Sequence, residues 1–325
     1  MTLILNRDAV ASVLQMKDCI DALEGAFTEL SNGTAVLPLR IGIPAPDGVS
    51  FYMPAYLKQA NALAVKVVSV YKNNPQKYQL PTTIGKVLVQ NPETGEVICI
   101  MDGGYLTAVR TGAVSGLATR FLARQDENQV AAIFGAGVQA QMQLWGVCEV
   151  RKLRYALVYD VVPGAAEKFA QTMGAKLNLE IKIAQRPEEI LAADIICTAS
   201  SSATPIFDGT REKLGTHING IGSHSPGARE LDSAIIKRSL LIADSRDACL
   251  NEAGDVMIPI KEGVITADHI HADLGEIVTH KKPGRTSPDQ ITVFKSNGLA
   301  IQDVAASRLV FDKAKKAGLG VEVDL

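Results

Sequence analysis

Val130-Ala-Ala-Ile-Phe-Gly-Ala-Gly-Val-Gln-Ala140 decides the fold. Five apolar residues run directly into Gly135-Ala-Gly137-Val-Gln-Ala140, and a further apolar stretch reaches Val147. A buried strand, a glycine turn and a helix in immediate succession open a βαβ unit and match the G-x-G-x-x-G/A pattern. Each position has a task. Gly135 makes the tight turn. Gly137, lacking Cβ, lets the backbone approach a pyrophosphate, and Ala140 lets the helix lie close on the strand. The helix N-terminus offers N–H groups and the positive end of a dipole to phosphate. Asp160 ends the next strand, 25 residues beyond Gly135. A carboxylate there accepts both ribose hydroxyls and repels a 2′-phosphate, and Val161-Val162-Pro163 brings no Arg or Lys to receive one. The alternative is a glycine turn in an unrelated βαβ unit. Strand, helix and distal acid together predict NAD, in preference to NADP, held by Gly135, Ala136, Gly137, Val138, Gln139 and Asp160.

Outward from this turn the alternation continues. Strands are expected at 155–159, 181–184, 195–199, 217–221 and 240–243, with helices at 165–173 and 187–192. This grammar predicts a parallel sheet covered on both faces. Before Tyr105 the pattern differs. A helix over 18–32 places Ile20, Leu23, Ala26, Phe27 and Leu30 on one face, and Gly33 stops it. The β-rich runs 36–43, 49–53, 63–71, 84–89 and 97–101 follow without helices between them, which predicts a mostly antiparallel sheet. Asn91-Pro-Glu-Thr-Gly95 reads as a hairpin connection. A helix over 105–123 joins the halves, and an amphipathic helix over 301–317 packs back on the first. The expected class is α/β: a Rossmann-type parallel-sheet domain over 116–299, plus an α+β domain over 1–115, completed by 300–325.

The chain has 325 residues, which at ~100–200 per domain predicts two domains. It is 47% hydrophobic and 21% charged, with net charge −2 and no basic tract, so neither nucleic acid nor an anionic membrane is expected as a partner. Cys19, Cys99, Cys148, Cys197 and Cys249 are odd in number, scattered and without a CxxC pair, which fits a reducing cytoplasm. The opening Met1-Thr-Leu-Ile-Leu-Asn-Arg-Asp8 is not a signal peptide, and no run of ~18 uncharged apolar residues spans a membrane. His217, His269, His271 and His280 have no metal-ligand partners at suitable spacing. His269 and His271 read as solvated loop, and no metal is expected. No Ser-His-Asp or G-x-S-x-G pattern occurs.

With these segments in order, the chain resembles the ornithine cyclodeaminase/μ-crystallin family, which includes archaeal-type alanine dehydrogenase and ketimine reductases. The resemblance rests on Met53-Pro-Ala55, Leu63-Ala-Val-Lys66, Leu80-Pro-Thr82, Val109-Arg-Thr-Gly-Ala113, the glycine turn, Asn219-Gly-Ile-Gly222, Leu274-Gly-Glu276 and Gly298-Leu-Ala-Ile-Gln-Asp303. It implies a homodimer, an α+β domain over 1–115 and 300–325 that binds substrate and dimerises, and a substrate carboxylate held by Arg40, Lys66 and Arg110, with Met53 beside them. It also implies that Thr82, Thr111 and Ser296, with Arg110, contact the nicotinamide end or the phosphates. Thr198, Gly222 and Ser223 join the cofactor residues because strand-end loops of this fold face the cofactor. The chemistry agrees, since an α-amino or α-imino acid carries one fixed anion, which a planar guanidinium grips bidentately. Lys66 lies in an apolar run, where an inward Lys is costly unless paired and an outward one is unremarkable. A lowered pKa would let it shuttle a proton. Arg110 without the resemblance is a surface helix Arg, and Asp303 suits the first turn of the last helix as a plain acid.

Three functions follow. The first is hydride transfer between NAD(H) and Cα of a small amino or imino acid, by a dehydrogenase or imine reductase. The second is ornithine cyclodeamination with NAD as catalytic cofactor, and the third is ligand binding without turnover. His224 discriminates. The resemblance implies an aspartate in cyclodeaminases where this chain reads Ile221-Gly-Ser-His224. An imidazole serves as general acid toward an imine nitrogen, but as a cation it repels the distal ammonium of ornithine. The first function is therefore preferred, with Lys66 and His224 as catalytic candidates.

Overall fold

The computed structural model describes residues 1–223 and 225–324. They divide into two compact units, Met1–Arg110 with Leu299–Leu325, and Thr111–Gly298. The chain opens with β1 (Thr2–Leu5), α1 (Arg7–Val13), α2 (Met16–Ser31), β2 (Ala35–Val36), β3 (Ile41–Ala45), β4 (Gly48–Leu57), β5 (Ala62–Val70), α3 (Asn74–Tyr78), β6 (Thr83–Gln90) and β7 (Val97–Asp102). The division falls within α4 (Gly103–Leu122). Next come β8 (Gln129–Phe134), α5 (Val138–Val150), β9 (Leu153–Tyr159), α6 (Ala165–Leu177), β10 (Ile181–Ile183), β11 (Ile195–Thr198), β12 (His217–Gly220) and α7 (Ser233–Arg238). The second unit ends with β13 (Leu240–Ala243), α8 (Arg246–Glu252), α9 (Gly254–Lys261), β14 (Ile270–Asp273), α10 (Leu274–Val278) and β15 (Thr292–Lys295); α11 (Ala300–Ala317) and β16 (Val321–Val323) return to the first.

The first unit's sheet runs β16-β1-β7-β6-β5-β4-β2, with β3 also on β4. Its pairs are antiparallel except β1 with β7. In β5 the side chains alternate as a two-residue period demands: Ala62, Ala64, Lys66 and Val68 are buried, while Leu63, Val65 and Val67 are half-buried. Helix α11 packs over β4 and β5 and against α2, so the first set is the helix-covered set. The expected single strand over 36–43 is broken. Strand β2 stops at Val36 and β3 starts at Ile41, with Pro38 between them, which cannot donate to a ladder. Arg40, expected within a strand, therefore lies in the connecting segment.

The second unit's sheet runs β10-β9-β8-β11-β12-β15-β13-β14, and every neighbouring pair is parallel. The chain moves outward from β8 through β9 to β10, then crosses to β11 on the other side of β8, so the order reverses between β8 and β11. The helix expected over 187–192 is a 3₁₀ segment, Pro187–Ala192. His269 and His271 are half-buried rather than solvated, because Nε2 of each faces a carbonyl oxygen, Ile236 O at 2.7 Å and Pro283 O at 2.9 Å. His217 is fully buried in β12 with Nδ1 2.9 Å from Thr292 Oγ1, and burial pushes its pKa down to about 3, so it is a neutral core group.

Within the second unit α4 and α5 meet at glycines. A Cβ on Gly112 would stand 2.2 Å from Met142 O, and one on Gly146 would stand 2.2 Å from Gly112 O. Gly112→Ala must therefore push the helices apart, and Gly146→Ala likewise. Each is expected to destabilise by ~1–3 kcal/mol, as overpacking does, measured by denaturant unfolding. Wild-type stability in either variant would mean the backbones do not touch there.

Candidate active site

The end of β8 leads into Gly135 at φ +98, a conformation that L side chains rarely adopt. A Cβ there would stand 2.7 Å from Ala199 O, just past β11. Gly137 caps α5, with nothing within 4 Å of its Cβ position. The first turn of α5 has neither a side-chain cap nor an acid, and Val138 is exposed. A helix N-terminus so furnished, beside the switch point of a parallel sheet, fits a pyrophosphate. Asp160 follows β9. Its Oδ2 accepts the Ala136 N–H at 2.7 Å and its Oδ1 the Val162 N–H at 2.8 Å, so it fastens the glycine turn. A carboxylate has about four acceptor positions, which leaves capacity for a ribose.

Thr198, Gly222, Ser223 and Ser296 all lie at or just past the C-terminal ends of β11, β12 and β15, on the same sheet edge as Gly135. The structure adds organising groups that the sequence reading does not include. Buried Glu230 accepts Thr198 Oγ1 and the Gly222 N–H through Oε2, both at 2.8 Å, and Ser200 N and Oγ through Oε1, at 2.7 and 2.6 Å. Ser223 Oγ donates to Ala228 O. Lys295, fully buried, donates to Gly220 O and Ser223 O and pairs with Asp255 at 2.9 Å. Ser296 Oγ donates to Asp244 Oδ2 at 2.7 Å. The hydroxyls of Thr198, Ser223 and Ser296 are thus committed to protein partners and hold the loops in shape. Lys295 carries the signal that marks Lys66, a Lys within an apolar strand; Glu230 has no comparable signal. His224 lies outside the described residues.

The first unit gathers Met53, Lys66 and Arg110. Met53 is the direct β4 partner of Lys66, and Val87 its β6 partner. Lys66 is 2% exposed, and its Nζ lies 2.7 Å from Asp303 Oδ2. Arg110 Nε donates to Asp303 Oδ1 at 3.0 Å, and its Nη1 donates to Gln302 Oε1 at 2.6 Å. Burial lowers the Lys66 pKa to about 8, with Asp303 opposing and the Arg110 charge assisting. Half-buried Arg40 sets its guanidinium 5.0 Å from the Phe51 ring centre and adds a smaller lowering of Lys66. Thr82 is half-buried at the bend before β6, its carbonyl accepting Tyr71 N–H, and Thr111 is buried in α4, its carbonyl accepting the Gln143 amide. Among the described residues no cluster of three His, Cys, Asp or Glu side chains could hold a metal, and no helix is long and apolar enough to cross a membrane.

The reversed parallel sheet, the bare helix N-terminus at its switch point and a buried cationic cluster define a nicotinamide-dependent oxidoreductase. The chain belongs to the ornithine cyclodeaminase/mu-crystallin family, whose model matches residues 1–318. It is similar to the Δ1-pyrroline-2-carboxylate reductase of Thermococcus litoralis, solved in complex with NADH and L-proline, at 46% identity and TM-score 0.96 over 99% of this chain and 100% of that one. A solved archaeal alanine dehydrogenase dimer with bound NAD is 33% identical, with TM-score 0.94 over 99% of each chain. The Δ1-pyrroline-2-carboxylate reductase of Bacillus cereus is 33% identical over 326 residues, 99% of both chains.

Asp160→Ser removes the carboxylate expected, from its place just after β9, to repel a 2′-phosphate. The ratio of kcat/KM with NADPH to that with NADH is expected to rise by about tenfold or more, ~1.4 kcal/mol, measured with both cofactors side by side. An unmoved ratio would show that Asp160 does not read the ribose.

Proposed function

We propose that this protein is an NADH-dependent imino-acid reductase whose substrate is a small cyclic α-imino monocarboxylate of the Δ1-pyrroline-2-carboxylate kind, reduced to the cyclic amino acid. The observation that carries the reading is the buried Lys66–Arg110 pair around Asp303. Two buried cations sharing one carboxylate keep a positive charge in excess, which suits one substrate carboxylate. The 46% identical reductase with NADH and L-proline supports the substrate class. Bound NADH supplies the hydride to Cα while the imine nitrogen takes a proton, so imine, NADH and H⁺ give amine and NAD⁺.

Lys66 and Arg110 hold the carboxylate, with Arg40 as the third cation, and Met53 lines the space beside Lys66. Fixing the carboxylate fixes Cα for a hydride from one face. Gly135, Ala136, Gly137, Val138 and Gln139 take the pyrophosphate and Asp160 the ribose; Thr82 and Thr111, with the loops that Thr198, Gly222, Ser223 and Ser296 hold in shape, approach the nicotinamide half. On chemistry, His224 is the general acid toward the nitrogen. Five cysteines without a disulfide suit a reducing cytoplasm. Amino-acid oxidation, with the archaeal alanine dehydrogenase as its relative, is the second reading. A panel of cyclic imino acids, pyruvate with ammonia, and L-ornithine separates reductase, dehydrogenase and cyclodeaminase by absorbance at 340 nm and ammonia release. Robust proline formation from ornithine overturns the proposal.

We also assign a homodimer built through the first unit's sheet. Its uncovered set includes the half-buried row Ile4, Ile100, Leu88, Val65 and Pro54 across β1, β7, β6, β5 and β4. Such an apolar row needs a cover, and a second copy of the same face supplies it.

Lys66→Ala is expected to lower kcat/KM for the imino acid by at least ~2 kcal/mol, about thirtyfold, with the NADH Kd unchanged. Near-native kcat/KM would remove Lys66 from the clamp. Val65→Asp is expected to convert the dimer seen by light scattering into monomer; a wild-type protein already monomeric at micromolar concentration defeats the assignment.

A further inference from the structure

The last helix brings a carboxylate whose burial exceeds what helix formation asks of it. A first-turn acid favoured by the helix dipole works at the surface. Asp303 is instead fully buried, with Oδ2 2.7 Å from Lys66 Nζ on β5 and Oδ1 3.0 Å from Arg110 Nε on α4. Its neighbour Gln302, also fully buried, accepts Arg110 Nη1 at 2.6 Å. Three elements remote in sequence thus meet at one carboxylate.

We propose that Asp303 is a positioning and specificity-determining residue: by bridging Lys66 Nζ and Arg110 Nε it sets the spacing of the two cations and leaves the trio with one positive charge, which selects a substrate carrying a single carboxylate. This inference rests on the reading of Lys66 and Arg110 as the carboxylate clamp. Without Asp303 two cations would share an apolar interior, repel one another and lose their common orientation. With it, a monocarboxylate neutralises the buried trio and a dicarboxylate overcharges it, while the charge of half-buried Arg40 is screened by solvent and counts for less. The charged groups bearing on Lys66 are Asp303 from α11, Arg110 from α4 and Arg40 from the segment before β3. Met53 and Val87, its partners on β4 and β6, carry no charge. Cys19 on α2, near Arg110 and Asp303, stays a neutral thiol because burial pushes it up to about 12.

The sign of the pH effect follows. Burial lowers Lys66 to about 8 and Asp303 opposes that fall, so Asp303→Asn lets Lys66 lose its proton at lower pH. The clamp needs the ammonium, and kcat/KM for imine reduction therefore declines as pH rises through the Lys66 pKa.

The test measures pH profiles of kcat/KM for the full-length enzyme with NADH, using Δ1-pyrroline-2-carboxylate and a cyclic imino dicarboxylate, for wild type, Asp303→Asn, Asp303→Glu and Lys66→Ala. NADH binding by fluorescence reports that each variant is folded. Asp303→Asn is expected to lower monocarboxylate kcat/KM about tenfold, to move the alkaline limb down by about one pH unit, and to shift the preference toward the dicarboxylate. Asp303→Glu, which keeps the charge but moves it, is expected to keep the limb and raise KM. An Asp303→Asn enzyme with an unmoved limb and unchanged preference overturns the proposal, since a merely structural role would lower the folded fraction without altering either. If Asp303→Asn does not fold, an Asp303→Glu enzyme with wild-type KM overturns it equally. Should Lys66→Ala keep its activity, the clamp reading fails and takes this inference with it; should Lys66→Ala be inactive while Asp303→Asn behaves as wild type, only this inference fails.

Discussion

Two cations in an apolar interior need a common anion, and here that anion is Asp303. Lys66 and Arg110 are almost wholly removed from water, which is unfavourable for each by itself. The carboxylate between them offsets that cost and comes from the opposite end of the chain. Helix α11 must therefore return to the N-terminal sheet, and the first unit is assembled from two separated stretches of sequence. The apolar partners of the same helices, Ile20, Leu23 and Phe27 on α2 and Ile301, Val304 and Val310 on α11, supply the burial that makes this return favourable.

The second unit solves a different problem, which is to hold irregular backbone steady at the edge of a parallel sheet. Glu230 ties the segment after β11 to the segment after β12, and Lys295 with Asp255 ties the end of β15 to the same segment. Asp244 accepts Ser296 Oγ and the N–H groups of Asn297 and Gly298. Loops held by buried, hydrogen-bonded charges present fixed groups to a ligand, and preorganisation of this kind is what positional catalysis requires. The glycine turn stands apart. Its first helical turn carries no side-chain cap, so its N–H groups and dipole are left for an anion.

The relatives of this chain include an imino-acid reductase and an alanine dehydrogenase, and under the proposed reading the clamp would read only the carboxylate that amino and imino acids share. What is done to Cα and its nitrogen then depends on the groups around the rest of the molecule. Under the same proposal position 224, a histidine in this chain, would bear on that choice, since an imidazole and a carboxylate treat a substrate ammonium oppositely.

Much of the fold was legible because local periodicity and local covalent need carry it. The alternation around Val130–Ala140, the helix over α2, the hairpin at Asn91–Gly95 and the returning α11 all reflect which residues face a core, and that is a property of neighbours in sequence. The strand break at Pro38 was equally local but hidden by the apolar residues around it. Short, fully buried strands such as β15 carry no alternation to read. The site divided the same way. The glycine turn was readable because the positive φ at Gly135 and the helix start at Gly137 are set by their own sequence neighbours. The motifs named Lys66 and Arg110, yet neither periodicity nor spacing told whether they pointed inward. Sequence neighbours thus carry the two architectures, the glycine turn and the motifs that name Lys66 and Arg110. Long-range packing is what joins Asp303 to Lys66 and Arg110, lets Glu230 and Lys295 lock the sheet-edge loops, and buries His217 as a neutral core residue. The reason is physical: the burial and pairing of a charge depend on what other segments place beside it, and those segments lie far away along the chain.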